Sequence, residues 1–138
     1  MGSSVRVAIG SDSDIVLARE HGRRIGKEVG FPVADLTRIA TVISEIARNI
    51  VTYAEAGEMV IQVIEADNRH GIEIKALDKG PGICDVTLAM SDGYSTANRR
   101  GLGLPGTRRL MDEFELESAS GKGTTVVMRK WILKSQQA

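Results

Sequence analysis

Two hairpin patterns restrict the possible folds of this sequence more strongly than any other feature. The segments EMVIQVIEA and GIEIKALD are rich in β-branched residues and are separated by DNRHG, which is typical of a hairpin turn. Near the carboxyl end, ELESAS and TTVVMRKWIL lie on either side of GKG and predict a second hairpin. Because strands joined by short turns pair antiparallel, the sequence predicts a mostly antiparallel sheet.

The amino-terminal part predicts a strand followed by a helix. In SVRVAIG the apolar residues alternate, which indicates a strand. The segment DIVLAREHGRRIGKEV follows between a capping box at Ser11 and Asp14 and a Gly30 placed as a helix C-cap. These end signals predict the first helix.

Two further helices are predicted. The second runs from about Ala34 to Tyr53, because its apolar residues recur at spacings of three and four and form one buried stripe: Leu36, Ile39, Ile43, Ile46 and Ile50. The third is predicted over LPGTRRLMDEF, and CDVTLAM predicts a short helical turn before the polar loop SDGYSTANRRG.

The order of these elements predicts the fold class. It reads strand, helix, helix, hairpin, loop, helix, hairpin, and regular βαβ alternation is missing. We therefore expect an α/β two-layer sandwich in which a mixed, mostly antiparallel sheet is backed by helices on one face. A length of 138 residues fits one domain over residues 1–138.

Composition excludes several classes of protein. The 18 basic and 18 acidic residues cancel, which argues against a nucleic-acid partner. There is no apolar run of about 18 residues, which argues against a membrane span. A single cysteine, Cys84, suits a reducing compartment, so we expect a cytoplasmic protein.

The segment RRGLGLPGTRRL contains G-x-G-x-x-G at Gly101, Gly103 and Gly106. A dinucleotide fingerprint needs a strand directly before the glycines and an acidic residue about 20 positions later, and neither is present. The signatures of protein-kinase glycine loops and of P-loops are missing as well. The glycines instead open a helix whose amide groups can meet a phosphate.

Three other polar motifs accompany these glycines. Glu45 and Asn49 are four residues apart on the second helix and share a face beside the buried stripe, where an acid and an amide can reach one ligand. Asp78 ends a predicted strand and is followed by two glycines, and the last hairpin contains GKGTT.

Together the four motifs resemble the four ATP-binding boxes of the GHKL, or Bergerat-fold, ATPases, which include DNA gyrase, Hsp90-type chaperones, histidine kinases and anti-sigma-factor serine kinases. They occur in order along the chain: Glu45-x-x-x-Asn49, Asp78-x-Gly80-x-Gly82, Gly101-x-Gly103-x-x-Gly106 and Gly121-x-Gly123-Thr124. With ISEIARNIVTYA, DGYSTANRRGLGLPGTRRLMDEFELES and KWIL, nearly the whole chain resembles the RsbT-type stressosome switch kinases.

The resemblance implies roles for individual residues. Asn49 would give its side-chain oxygen to Mg²⁺, and Glu45 would accept the proton of the substrate hydroxyl as general base. Asp78 would bind the adenine amino group, with Thr124 nearby. The remaining expected ATP-binding residues are glycines that let the backbone approach base and phosphates, and an arginine beside the γ-phosphate: Gly80, Gly82, Gly101, Gly103, Gly106 and Arg100, with Arg99 as the alternative arginine.

The resemblance also implies a function. We expect an ATP-dependent protein serine/threonine kinase that phosphorylates STAS-domain scaffold or antagonist proteins of the stressosome. Such a kinase then switches partners and activates a PP2C-type phosphatase in a general stress sigma-factor pathway. The alternatives are an anti-sigma factor with serine kinase activity and a non-catalytic ATP-sensing module. Arg48 lies beside the Glu45–Asn49 pair, and the sequence leaves open whether it faces this pair or a partner protein.

Overall fold

The computed structural model describes residues 2–54, 56–79, 103–118 and 123–133. The elements in chain order are β1 Ser4–Ile9, α1 Asp12–Val29, α2 Val33–Asn49, a π-helical turn Ile50–Ala54, β2 Gly57–Ala66, β3 Arg69–Asp78, α3 Gly103–Leu110, β4 Glu113–Ser118 and β5 Thr124–Leu133. The predicted segments CDVTLAM and SDGYSTANRRG lie outside the described residues.

The five strands form one sheet in the order β1-β2-β3-β5-β4, and every pairing between the described strands is antiparallel. The β2–β3 hairpin pairs along its full length, from Ala66 opposite Arg69 to Gly57 opposite Asp78. β5 lies between β3 and β4. The second predicted hairpin, β4–β5, therefore joins the first hairpin, β2–β3, through the pairing of β5 with β3. The predicted α/β sandwich and both hairpins are therefore confirmed.

The ends of α1 are fixed by the predicted capping residues. The carboxylate of Asp14 accepts hydrogen bonds from the backbone nitrogens of Gly10 and Ser11, at 2.9 and 3.1 Å. At the other end Gly30 adopts φ 106°, and its nitrogen donates to carbonyls of the last turn. These bonds fix the entry of the chain into α1 and pair carbonyls of its last turn.

The core lies between the helices and one face of the sheet. The predicted stripe of α2 is entirely buried, and α2 packs against α1 and β3. It meets side chains from alternate positions of the strands: Met59, Ile61, Ile72, Ile74 and Met128. The alternating apolar residues of the strands and the apolar stripe of the helix therefore form one core, as the sequence predicts.

Two predicted helix ends differ from the observed ones. The sequence extends the third helix to Phe114, whereas α3 ends at Leu110 and β4 begins at Glu113. The reason is tertiary: the backbone nitrogen of Asp112 donates to the carbonyl of Arg129 at 2.9 Å, so the chain already pairs with β5 there. The second predicted helix is helical throughout its span, but its last turn widens into the π-helical form after Asn49.

The face of the sheet opposite the helices carries a row of paired polar side chains. Gln62, Glu73, Arg129 and Glu113 face one another in register across four strands. Glu73 accepts from Gln62 at 2.7 Å and from Arg129 Nε at 2.8 Å, while Arg129 Nη1 donates to Glu113 at 3.0 Å. The hydrogen bond to Glu73 raises the pKa of Arg129 above its ordinary value. We refer to these four residues as the sheet network.

The only tryptophan of the chain, Trp131, lies beside this network. Its indole nitrogen donates to Glu113, and the guanidinium of Arg69 lies 3.9 Å from the centre of its ring. The pKa of Glu113 lies below its ordinary value, mainly because it accepts the indole hydrogen bond and also because of its contact with Arg129. Trp131 fluorescence therefore reports on the integrity of the sheet.

Candidate active site

Glu45 and Asn49 lie in the last two turns of α2 on one face of the helix. Glu45 is buried, at 6% exposure, although it is an acid. The Oδ1 atom of Asn49 is buried and has no hydrogen-bond partner among the described residues. Buried polar atoms in folded proteins are nearly always paired, and no described residue pairs with this oxygen, which makes it a candidate position for a ligand.

Arg48 faces Glu45. Its Nη1 atom donates to Glu45 Oε1 at 2.8 Å across one helical turn. The side chain of Glu45 is 8% exposed and that of Arg48 is 46% exposed. The guanidinium therefore reaches from the protein surface to the buried carboxylate of Glu45, while much of the Arg48 side chain stays exposed.

The π-helical turn Ile50–Ala54 directly follows Asn49. Such turns are rare and often occur at functional sites. Apolar periodicity does not reveal this one, because Ile50 continues the stripe and is buried in the core.

Asp78 and Thr124 are brought together by the sheet. They are register partners at the ends of β3 and β5, and both are half-buried. Beside them Gly123 has φ 82°, and a Cβ atom there would overlap the carbonyl oxygen of Asp78. Only glycine suits this position, because both the backbone angle and the close approach exclude a side chain.

Gly57 is a site residue that the sequence reasoning missed. It pairs with Asp78 across β2 and β3. A Cβ atom on Gly57 would overlap the carbonyl oxygen of Leu77 and lie 3.0 Å from both Asp78 Cβ and Ile50 Cγ2. The end of α2 and the end of β3 therefore meet at Gly57, which brings the two halves of the predicted site to one end of the molecule. No local signal in the sequence identifies this residue.

The third glycine motif opens α3, which begins at Gly103 and contains the buried Gly106. The next residue, Thr107, is completely buried, and the sequence reasoning did not single it out. α3 packs against α2, the helix that carries Glu45 and Asn49. The other predicted residues of these motifs lie outside the described part of the chain: Gly80, Gly82, Arg99, Arg100 and Gly101.

The arrangement suits the binding and reaction of a nucleotide. It combines a buried carboxylate held by a guanidinium, an amide oxygen one turn away that no described residue pairs with, and an acid–hydroxyl pair at the sheet end. A helix opened by glycines packs against the same helix α2. Fold and site together define an ATP-binding domain of the kind predicted from the four boxes.

Residues 11–130 match the family described as Histidine kinase-like ATPase domain. The serine/threonine-protein kinase RsbT of Bacillus subtilis (strain 168) is 48% identical over 126 residues, 91% of this chain and 95% of that protein. The chain therefore belongs to the histidine kinase-like ATPase family, and its resemblance to the RsbT-type kinases is confirmed. The predicted activity, a serine/threonine-protein kinase that uses ATP, is confirmed by the same similarity.

Two further comparisons agree with this placement. An anti-sigma F factor of Caldanaerobacter subterraneus subsp. tengcongensis is 37% identical over 72% of this chain and 73% of that protein. The crystal structure of the RsbU and RsbW domains of Rv1364c from Mycobacterium tuberculosis matches with a TM-score of 0.61 at 19% identity. That match covers 94% of this chain and 31% of the longer one, and it supports the fold alone.

None of the helices in the described part of the chain has the length and apolar character needed to cross a membrane.

Proposed function

We propose that this kinase transfers the γ-phosphoryl group of Mg-ATP to a serine or threonine of a STAS-domain stressosome protein. It then exchanges that partner for a PP2C-type phosphatase, which it activates in a general stress sigma-factor pathway. The observation that carries the proposal is the buried Oδ1 of Asn49, which has no hydrogen-bond partner among the described residues and lies one helical turn from the buried carboxylate of Glu45. The similarity to the serine/threonine-protein kinase RsbT supports a serine or threonine hydroxyl as the phosphate acceptor.

Asn49 fits a magnesium ion. Mg²⁺ prefers oxygen ligands and takes few of them from the protein, the others being waters and substrate phosphates. The amide oxygen of Asn49 is such a ligand, and no other hydrogen bond among the described residues occupies it. When bound, the ion would neutralise charge on the phosphates.

Glu45 acts as the general base. Its carboxylate accepts the proton of the substrate hydroxyl while the hydroxyl oxygen forms a bond to the γ-phosphorus and the bond from that phosphorus to the bridging oxygen breaks, releasing ADP. A positioned base of this kind contributes about 10²- to 10⁴-fold in rate. Burial of Glu45 keeps water from competing for the carboxylate.

Asp78 and Thr124 bind the adenine. An ionised carboxylate accepts the adenine amino hydrogen, and the neighbouring threonine hydroxyl contributes a second polar contact. Gly123 keeps the backbone beside Asp78 clear of side chains.

The remaining predicted residues complete the nucleotide site in this proposal. Gly80 and Gly82 let the backbone pass close to the base, while Gly101, Gly103 and Gly106 surround the phosphates. Arg100 stabilises charge on the transferred group, with Arg99 as the alternative.

Phosphorylation of the STAS-domain partner loosens its complex with the kinase. A phosphate of nearly two negative charges in an apolar interface adds desolvation cost and repulsion. The released kinase can then bind the phosphatase. We further propose that the chain acts in the cytoplasm as one domain over residues 1–138.

The test mixes the purified chain with Mg-ATP and a candidate STAS-domain protein and follows the intact mass of that protein. We expect a gain of one phosphate, absent without Mg²⁺ and absent with Glu45→Ala. ATP binding without any gain in mass would reject catalysis and favour an ATP-sensing module.

The second candidate is an anti-sigma factor with the same chemistry, which the 37% identity to an anti-sigma F factor favours. Binding to a sigma factor in the presence of ADP, measured by analytical size exclusion, distinguishes it from the first proposal. A stable complex would select the anti-sigma role.

A further inference from the structure

The buried carboxylate of Glu45 has a charged partner that no proposed role yet uses. Burying an ionised carboxylate is costly unless an opposite charge and hydrogen bonds compensate for the lost water. Arg48 supplies both through its 2.8 Å bond to Oε1. The two residues are three positions apart, so the ordinary geometry of the helix brings them together.

A second ion pair on the same helix differs from the Arg48–Glu45 pair in the burial of its acid. Arg38 and Asp35 of α2 are also three residues apart, at 2.9 Å, and the Arg38 side chain is 49% exposed, close to that of Arg48. The acids differ: Asp35 is 24% exposed, whereas Glu45 is 8% exposed. The Arg38–Asp35 pair, whose acid is more exposed and also lies 3.9 Å from Lys130 Nζ, gives a matched comparison on the same helix.

We propose that Arg48 is a positioning residue for catalysis: it holds the Glu45 carboxylate in the orientation that accepts the substrate hydroxyl proton. This inference rests on the proposed function. A carboxylate offers about four acceptor positions, so the bond from Arg48 leaves capacity for the hydroxyl. The proton goes from the substrate hydroxyl to Glu45, and Arg48 remains protonated throughout.

Arginine suits this task better than lysine. Its guanidinium is planar and permanently charged, and it presents its N–H groups in a fixed geometry. Lysine supplies the charge as a mobile point at the end of a flexible chain. A lysine at position 48 should therefore recover only part of the transfer rate, because the full rate also needs the planar geometry of the guanidinium.

The first experiment measures single-turnover phosphoryl transfer to the STAS-domain substrate for Arg48→Met, Arg48→Lys and the matched control Arg38→Met. Since a positioned base is worth about 10²- to 10⁴-fold, we expect Arg48→Met to reduce the transfer rate constant about 10- to 100-fold. ADP affinity should change less than about 2-fold, because in this proposal Arg48 acts in transfer and not in ground-state binding. Arg48→Lys should recover part of the rate, and Arg38→Met should keep the rate of the unaltered chain. An unchanged rate in Arg48→Met overturns the inference.

A double-mutant cycle tests whether Arg48 acts through Glu45. In a Glu45→Gln background, Arg48→Met should cause no further loss of transfer rate, because the group it positions has gone. Equal fold-losses in both backgrounds overturn the positioning role.

A stability cycle followed by Trp131 fluorescence gives a readout that does not need activity. Arg48→Met should lower the unfolding midpoint when Glu45 is present and lower it less in Glu45→Gln, because the buried negative charge that Arg48 faces is then absent. If the unaltered chain transfers no phosphate to any STAS-domain protein, the proposed function fails. Equal midpoint shifts in the two backgrounds would instead disprove the coupling between Arg48 and Glu45.

Discussion

The active-site end of α2 and the sheet network use similar side chains in opposite ways. Gln62 and Asn49 are both carboxamides, but Gln62 donates to Glu73 at 2.7 Å, whereas the buried oxygen of Asn49 has no partner among the described residues. The bonds within the network pair its acids with donors on neighbouring strands and so stabilise the fold. At the proposed site, an oxygen that no described residue pairs with suits a ligand that completes it.

The largest expected effect is a loss of transfer rate, and it should distinguish Glu45 at the site from Glu73 in the network. Glu45→Ala should reduce phosphoryl transfer about 10²- to 10⁴-fold, because the proton acceptor is removed. Glu73→Ala should leave the transfer rate of the folded protein unchanged while lowering its unfolding midpoint. Intact-mass kinetics and thermal unfolding measure the two quantities. A slow Glu73→Ala enzyme that is fully folded would contradict the division between the regions.

The next effect concerns nucleotide affinity. Asp78→Asn should weaken ADP binding about 10- to 100-fold, since a hydrogen bond to a charged group contributes about 1.5–3 kcal/mol. Isothermal titration calorimetry checks this, with Asp35→Asn as the surface control. Equal ADP affinities of the Asp78 variant and the unaltered chain would remove the adenine role.

Removal of the central cation should break the sheet network. Arg129→Met leaves Glu73 and Glu113 without their shared partner and should cost about 1–3 kcal/mol of unfolding free energy. Urea unfolding followed by Trp131 fluorescence gives the value. The ADP affinity of the folded variant should stay unchanged, and a lower affinity would show that the two regions are coupled.

The two carboxamides should respond differently to truncation. Asn49→Ala removes an oxygen that has no protein partner, so we expect its unfolding free energy to change by less than about 1 kcal/mol, while the Mg²⁺ dependence of ADP binding is lost. Gln62→Ala removes a formed bond and should lower the unfolding free energy by about 1 kcal/mol without affecting Mg²⁺ dependence. A strong destabilisation by Asn49→Ala would mean that its oxygen is paired in solution.

The smallest effect is a pH dependence. The pKa of Glu113 is lower in the folded chain than its ordinary value of 4.5, first because of the Trp131 hydrogen bond. The unfolded chain therefore binds more protons than the folded chain just below pH 4.5, so this contribution is fully present above that pH and is lost as the pH falls through the folded pKa. Glu113→Gln should flatten the acid side of the stability profile between about pH 3 and 5. An identical profile would show that Glu113 does not titrate differently on unfolding.

Local sequence patterns predict most of the secondary-structure elements and the candidate motifs of the site. Hairpin strands, capping residues and the α2 stripe depend on neighbours a few positions apart, so local patterns predict them. The four polar motifs were found for the same reason, because each is contiguous in sequence. Their order along the chain then indicated the family.

Which residues face one another follows only from the packing of the folded chain. Gly57 is unremarkable in sequence and matters because two other segments meet there: Ile50 after α2, and Leu77 and Asp78 at the end of β3. α3 ends early because β5, distant in sequence, pairs with Asp112. Likewise, the sequence leaves the contact of Arg48 open, and the folded chain shows that its guanidinium binds the buried carboxylate of Glu45. Burial and long-range pairing depend on the whole packed chain, which local sequence patterns do not contain.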